Sequence, residues 1–195
     1  NAVDVNMPDY LVVAGDYSGH GWNGTDDMRV NLYDSSNGLY RGYITMYDAP
    51  YGFKFVKNGS VWIGQTAVAD NVYTLAENGG DNCMIENGSY FWTVDMINMT
   101  ATATPITKVG IIGDFNGWGS DAEMTFDPET LTYTIEQTFD SAGGWKFRFN
   151  GEWALNLGGD VTYLTQDGSD LKTVKSGTVT YELNIFAHPY TIVEK

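Results

Sequence analysis

The chain has few of the residues that make cross-links, metal sites or membrane spans. Among its 195 residues there is one cysteine, Cys83, and there are two histidines, His20 and His188. A single cysteine excludes a disulfide bond within the chain, and no cysteine and histidine spacing is typical of a zinc site. We therefore expect Cys83 to be a small buried residue. No run of 18 apolar residues occurs, so the sequence predicts no transmembrane segment.

Positive charge is also scarce. Lys and Arg number 10 against 25 Asp and Glu, which gives a net charge of −15. Nucleic acids and anionic membrane surfaces attract basic protein faces, so both classes of partner are disfavoured. The acidity does not indicate disorder, because aromatic residues make up 14% of the chain. The composition is that of a folded acidic protein.

No residue pattern points to catalysis or to a cofactor. Neither histidine accompanies a serine or cysteine nucleophile motif, although the many carboxylates leave a glycosidase pair open as an alternative. Asp16 and Asp114 end apolar runs, where we expect aspartate to cap the turn that follows. Residues 77–82 and 166–170 are oxygen-rich and offer calcium ligands, but they lack the EF-hand spacing and are interpreted as glycine turns. We predict a protein that is not an enzyme, with no cofactor and no metal site.

What the chain does have is an internal repeat. Residues 12–17 resemble residues 109–115, and residues 52–59 resemble residues 144–151. Short runs rich in Tyr, Val, Thr and Ile alternate with Gly, Asn and Asp turns, which predicts β-strands throughout. We expect an all-β protein of two tandem antiparallel β-sandwich, immunoglobulin-like modules, residues 1–103 and 104–195. Residues 100–105, which are small and polar and end in proline, are interpreted as the linker.

The repeat includes aromatic and basic residues. Trp118, Lys146 and Trp153 in the second half correspond to Trp22, Lys54 and Trp62 in the first, whereas Trp92 and Trp145 are expected in the cores. An indole ring stacks on the apolar face of a pyranose while lysine bonds to its hydroxyl rim, so these residue types suit a sugar. Arg148, on the same strand face as Lys146, and Lys57 are alternative donors. Lysine precedes tryptophan by seven residues in the second half and by eight in the first, which suggests an insertion in the first.

The turn at residues 113–118, Gly-Asp-Phe-Asn-Gly-Trp, carries a family resemblance. It resembles the glycogen- and starch-binding modules of branching enzymes and of the AMP-activated kinase β subunit. The tandem arrangement looks more like the SusE/SusF family, starch-binding lipoproteins on the outer face of the Bacteroidetes outer membrane. The resemblance implies a small β-sandwich in each half, with two aromatics and one basic residue at each site. It also implies an extracellular location at the outer membrane, a lipid anchor upstream of this fragment and an outer-membrane glycan-uptake complex as a partner.

These observations lead to one function with two alternatives. We expect non-catalytic binding of an α-glucan, such as starch or maltooligosaccharide, at the bacterial cell surface, with the second module the stronger binder. One alternative is an adhesion or scaffold protein whose exposed aromatics anchor other proteins. The other is a glycan-active enzyme. Another polysaccharide also remains open as the ligand.

Overall fold

The computed structural model describes residues 7–25 and 28–195. All regular structure there is β-strand, apart from one short 3-10 helix, so the prediction of an all-β chain is confirmed. Contacts between residues divide the chain into two compact units, one up to Pro105 and one from Ile106 onward. Nowhere in the described ranges is there a helix with the length and hydrophobicity to span a membrane.

The first unit differs from the predicted sandwich. Its strands are joined in one closed barrel, because β1 pairs with both β2 and β4 and so leaves no free edge. The order around the barrel is β1-β2-β3-β7-β8-β6-β5-β4. The core centres on Trp92, which contacts the rings of Phe53, Phe55 and Tyr73. The strands are β1 (Tyr10–Gly15), β2 (Arg29–Asp34), β3 (Leu39–Met46), β4 (Phe53–Lys57), β5 (Val61–Ala69), β6 (Val72–Glu77), β7 (Gly88–Asp95) and β8 (Thr100–Pro105).

The linker prediction was wrong. Residues 100–105 form β8, which pairs with β7 over its length and with β6. Ala101 and Ala103 are buried, whereas Thr100, Thr102 and Thr104, which alternate with them, are more exposed. The small, polar composition is therefore the two-residue alternation of a half-buried strand. The predicted boundary at 103/104 falls inside this strand.

The second unit contains two antiparallel sheets. One has the order β10-β9-β13-β14-β15, with β16 also paired to β13, and the other has the order β11-β12-β17-β18. Trp145 of the first sheet packs on Tyr181 of the second, with ring centroids 4.7 Å apart. The strands are β9 (Val109–Gly113), β10 (Ala122–Glu123), β11 (Thr125–Asp127), β12 (Thr132–Phe139), β13 (Gly143–Phe149), β14 (Glu152–Asp160), β15 (Tyr163–Gln166), β16 (Leu171–Thr173), β17 (Gly177–Asn184) and β18 (Thr191–Glu194); the 3-10 helix is Asp114–Asn116.

The two units share the register of one strand pair. Gly15 lies opposite Phe53 in the first unit, and Gly113 lies opposite Trp145 in the second. A Cβ at either glycine would come within 2.4 Å of a carbonyl oxygen on the neighbouring strand. Glycine is therefore required at both positions, at the point where each strand enters the turn that carries a tryptophan.

Candidate functional site

The turn after β9 presents Trp118 at the surface. The 3-10 helix is followed by Gly117 and Trp118, both with left-handed backbones at φ 64° and 57°. The Asn116 side chain accepts a hydrogen bond from the Gly113 amide at 3.1 Å, and the Trp118 amide donates to the Gly113 carbonyl at 2.9 Å. A bulky residue in this backbone region is strained, so the turn holds Trp118 in place through these bonds.

Asp114 fixes the orientation of the Trp118 ring. Its Oδ1 accepts a hydrogen bond from the Trp118 indole nitrogen at 2.8 Å, and its Oδ2 accepts one from the Gly144 amide of β13 at 2.7 Å. The Gly144 and Trp118 donors hold the pKa of Asp114 below its usual range, and the nearby charge of Lys172 adds to this. The sequence predicted that Asp114 caps its own turn. Its side chain instead connects the tryptophan turn to strand β13.

Trp118 and Trp153 form an aromatic pair. Their ring centroids are 6.0 Å apart and their planes are inclined by 37°. Trp153 is 49% exposed, and Trp118 is half-buried. We call this pair the second-unit platform. It brings together two side chains 35 positions apart in the sequence and leaves part of their ring surface open to solvent.

Strand β13 separates core residues from platform residues by simple alternation. Trp145, Phe147 and Phe149 are buried, whereas Lys146 and Arg148 lie on the opposite face. Lys146 is half-buried, and no hydrogen bond or ion pair of its ammonium group is found among the described residues. It therefore keeps its donors for a ligand that lies on the platform side of the sheet.

Arg148 is more deeply buried than Lys146, and its guanidinium has partners. Its Nε donates to Asp121 Oδ1 at 2.8 Å, and its guanidinium carbon lies 4.7 Å from the centroid of the Trp153 ring. Only 9% of Arg148 is exposed. The role of Arg148 as a hydrogen-bond donor to a sugar remains a prediction. Its guanidinium already contacts the Asp121 carboxylate and the Trp153 ring.

The predicted insertion in the first half was wrong. Phe55 pairs with Ile63 across the β4–β5 hairpin, whereas Phe147 pairs with Leu157 across the β13–β14 hairpin. The second hairpin is therefore two residues longer, and its register shifts between Arg148 and Phe149. Counting from lysine to tryptophan misled because Trp62 lies in the regular ladder, opposite Val56, whereas Trp153 lies in the irregular part of its hairpin.

The first unit has a similar but differently supported pair. Trp22, 40% exposed, and Trp62 have ring centroids 6.4 Å apart and planes inclined by 33°. Trp62 packs on an apolar surface made of Val12, Ala14 and Val56. We call Trp22 and Trp62 the first-unit platform.

Both lysines predicted for the first site already have partners. The ammonium of Lys54 donates to the Gly80 carbonyl at 3.0 Å, and Lys57 forms an ion pair with Glu77. A ligand would have to compete for either group. The first-unit platform therefore has fewer uncommitted donors than the second.

Three polar residues around the second-unit platform were not predicted as site residues. Asp121 lies just before β10, and Lys172 lies opposite Gly144 on β16. The third, Asp114, was noticed only as a turn residue. Its contact with Trp118 had a sequence signal, since aspartate and tryptophan frame one six-residue turn, whereas Asp121 and Lys172 are brought to the site only by strand pairing.

The described residues contain no arrangement typical of a catalytic centre. Burial raises the pKa of Cys83 to about 12, so its thiol is a neutral core group. His20 contacts Tyr17, and His188 contacts Tyr163 and Tyr190. Within residues 7–25 and 28–195, no group of three or more His, Cys, Asp and Glu side chains could hold a metal ion.

Comparisons with known proteins give a similarity in structure alone. No family model matches the chain, and no curated protein matches it. Among solved structures, the crystal structure of SusF from Bacteroides thetaiotaomicron matches at 16% sequence identity and a TM-score of 0.41. The match covers 100% of this chain and 50% of that chain, so the chain spans about half the length of that protein.

Proposed function

We propose that the protein is a non-catalytic carbohydrate-binding protein whose principal site is the second-unit platform. The observation that carries this proposal is the pair of indole rings, Trp118 and Trp153, 6.0 Å apart with part of their surface exposed. Lys146 lies on the same face of β13 as Arg148, which contacts the Trp153 ring, and is the donor proposed for the sugar hydroxyls. Pyranose rings offer an apolar face of C–H groups and a polar rim. The platform and the lysine match those two features.

The expected affinity of one site is modest. About 60 Å² of apolar ring surface covered on each tryptophan, at about 25 cal/mol/Å², contributes about 1.5 kcal/mol. Two rings give about 3 kcal/mol, and one hydrogen bond from Lys146 adds about 1 kcal/mol. The sum of about 4 kcal/mol corresponds to a dissociation constant near 1 mM. A second platform on the same chain strengthens binding to a long polymer without any new contact.

The inclination of the two rings favours an α-linked glucan. Successive glucose rings in an α-1,4 chain are turned relative to one another, whereas a β-1,4 chain is a flat ribbon. Two indoles inclined by 37° cannot both lie flat on a ribbon, but each can stack on one sugar of a curved chain. We infer starch-like polysaccharides and maltooligosaccharides as the ligand class.

The location follows from the same proposal. The turn at residues 113–118 and the tandem repeat resemble the SusE/SusF family, which supports a place on the outer face of a bacterial outer membrane. There the protein would hold starch near a glycan-uptake complex.

A panel of polysaccharides tests the proposal. The intrinsic tryptophan fluorescence of the full chain is titrated with soluble starch, maltoheptaose, cello-oligosaccharide and an unrelated polysaccharide. We expect saturable changes with the two α-glucans and none with the β-glucan. A reducing-sugar assay on the same samples should show no release of sugar. Saturable binding of no glycan, or hydrolysis of starch, would contradict the proposal.

A further inference from the structure

We propose that Asp121 is a positioning residue that holds the Trp153 ring in place through Arg148. This inference rests on the proposed function, because it concerns the same platform. It assigns Arg148 to the support of the ring rather than to the sugar. Asp121 has no predicted role in the sequence, and it reaches Arg148 only because β10 pairs with β9.

The Asp121 carboxylate, the Arg148 guanidinium and the Trp153 ring contact one another in series. Asp121 is almost fully enclosed, with 2% of its side chain exposed, and the Arg148 side chain is 11% exposed. Asp121 Oδ1 binds Nε of Arg148 at 2.8 Å, and the guanidinium lies over the Trp153 ring at 4.7 Å. A guanidinium over an indole face is attracted to it, and the attraction is stronger where water is excluded.

The backbone makes room for this arrangement. Gly110 lies opposite Arg148 on β9, and a Cβ at Gly110 would lie 2.7 Å from the Cβ of Asp121. Any other residue at position 110 would displace the carboxylate from the guanidinium. Glycine in the interior of a strand weakens that strand, so a reason for its presence is needed. At position 110 the reason is the space that it leaves for the Asp121 side chain.

The Trp153 ring needs such support because of where its backbone lies. The hairpin is irregular between Arg148 and Phe149, so Trp153 lies outside the regular ladder. Its carbonyl is bonded by the Asn156 side chain at 2.9 Å, which anchors the main chain but not the ring. Half of Trp153 is exposed, so without a side chain packed against its ring several staggered rotamers would be open to it.

The first unit supports its ring by a different chemistry at the same positions. By strand register, Val12 stands where the second unit has Gly110, and Val56 stands where it has Arg148. Trp62 packs directly on Val12 and Val56. An apolar surface thus serves in one unit, and a buried ion pair serves in the other. Burying an ion pair is a costly way to gain stability alone, which favours a positional role for this one.

The test uses the full chain labelled with fluorotryptophan, with the Trp153 resonance assigned from a Trp153→Phe variant. Asp121→Asn keeps the size of the side chain but removes its charge. We expect the Trp153 resonance to shift or broaden without glycan while the core resonance of Trp145 stays in place. Maltoheptaose affinity should fall roughly three- to fivefold, less than the loss on removing the ring. Glu182→Gln, which removes the Lys195 ion pair in the same unit, is the matched control and should change neither readout.

A second background separates positioning from general destabilisation. In Trp153→Ala protein, Asp121→Asn should cause no further loss of affinity, because Asp121 acts through the ring. An equal loss in both backgrounds, or an unchanged Trp153 resonance, would overturn the inference. If Asp121→Asn does not fold, Arg148→Lys decides in its place, since it keeps the charge but loses the planar group over the ring and should give the same two effects.

The proposed function and this inference fail differently. If Trp153→Ala leaves maltoheptaose binding unchanged, the glycan site is wrong. The shift of the Trp153 resonance in the glycan-free protein then still decides whether Asp121 positions the ring. If Trp153→Ala weakens binding but Asp121→Asn changes neither the resonance nor the affinity, the site stands and the positioning role is wrong.

Discussion

Replacing Trp153 by alanine should weaken glycan binding about tenfold and leave the second unit folded. The ring is 49% exposed, which for an indole side chain of about 250 Å² leaves about 120 Å² in water. A stacked sugar covers one face, or about 60 Å², and about 25 cal/mol/Å² converts this to about 1.5 kcal/mol. That free energy corresponds to a factor of roughly ten in the dissociation constant.

The same numbers bound the effect on stability. The buried half of the ring, about 120 Å², contributes at most about 3 kcal/mol to folding. Domains of this size unfold with about 5–15 kcal/mol, so the variant should remain folded with a lowered midpoint. Calorimetric titration with maltoheptaose gives the affinity, and thermal unfolding followed by circular dichroism gives the stability.

Tyr163 offers a matched control. It is also 49% exposed and lies in the same unit, but it pairs with Asp160 at the far end of the β14–β15 hairpin from Trp153. Tyr163→Ala should lower stability by a similar amount and leave the affinity for maltoheptaose unchanged. Equal losses of affinity in the two variants would refute the stacking argument, and so would wild-type affinity in Trp153→Ala.

The remaining predictions concern the donors, the carboxylate and the first unit. Lys146→Ala should weaken maltoheptaose binding roughly fivefold, as expected for about 1 kcal/mol. Lys54→Ala should change the affinity less than twofold, because the Lys54 ammonium already binds the Gly80 carbonyl. Parallel calorimetric titrations compare the two variants, and a larger effect of Lys54→Ala would reverse the ranking of the two sites. Hydrogen bonds lower the pKa of Asp114, so its contribution to holding Trp118 is present above the ordinary carboxyl pKa of about 3.9 and is lost as the pH falls through the lowered value. The affinity for maltoheptaose should therefore stay constant from neutral pH down to about 4. A decline in affinity nearer to neutral pH would contradict this. Trp22→Ala should leave maltoheptaose affinity within about twofold but should reduce retardation in starch-containing gels, because a long polymer offers many sugars and both platforms can contribute to its binding. Equal retardation would show that the first unit does not contribute.

Local sequence patterns predicted the strands and the core tryptophans. Trp145, Phe147 and Phe149 alternate with Lys146 and Arg148, and this period of two is a local property of the chain. Trp92 was predicted to lie in a core because its strand at the end of the first half is apolar, and it is buried. Local patterns could not predict that β1 would pair with both β2 and β4, because closure of a barrel depends on pairing between distant strands.

The sequence could indicate residues of the proposed site only where those residues lie close together along the chain. The turn that carries Trp118 has a recognisable composition, and its aspartate lies four residues before the indole that it binds. Trp153 was matched to Trp62 because each follows the repeated lysine-containing stretch, and this match did not reveal the longer second hairpin. Asp121 had no signal at all, since its contact with Arg148 spans 27 positions and is made by strand pairing.

The proposed function requires that a glycan stacks on Trp118 and Trp153. Heteronuclear NMR of the full chain resolves the indole N–H signals of its six tryptophans, and titration with maltoheptaose reports which of them sense the ligand. We expect the signals of Trp118 and Trp153 to move with a common saturation curve, while those of the buried Trp92 and Trp145 remain fixed. Saturating maltoheptaose that moves no indole signal, or moves only those of the core tryptophans, would contradict it.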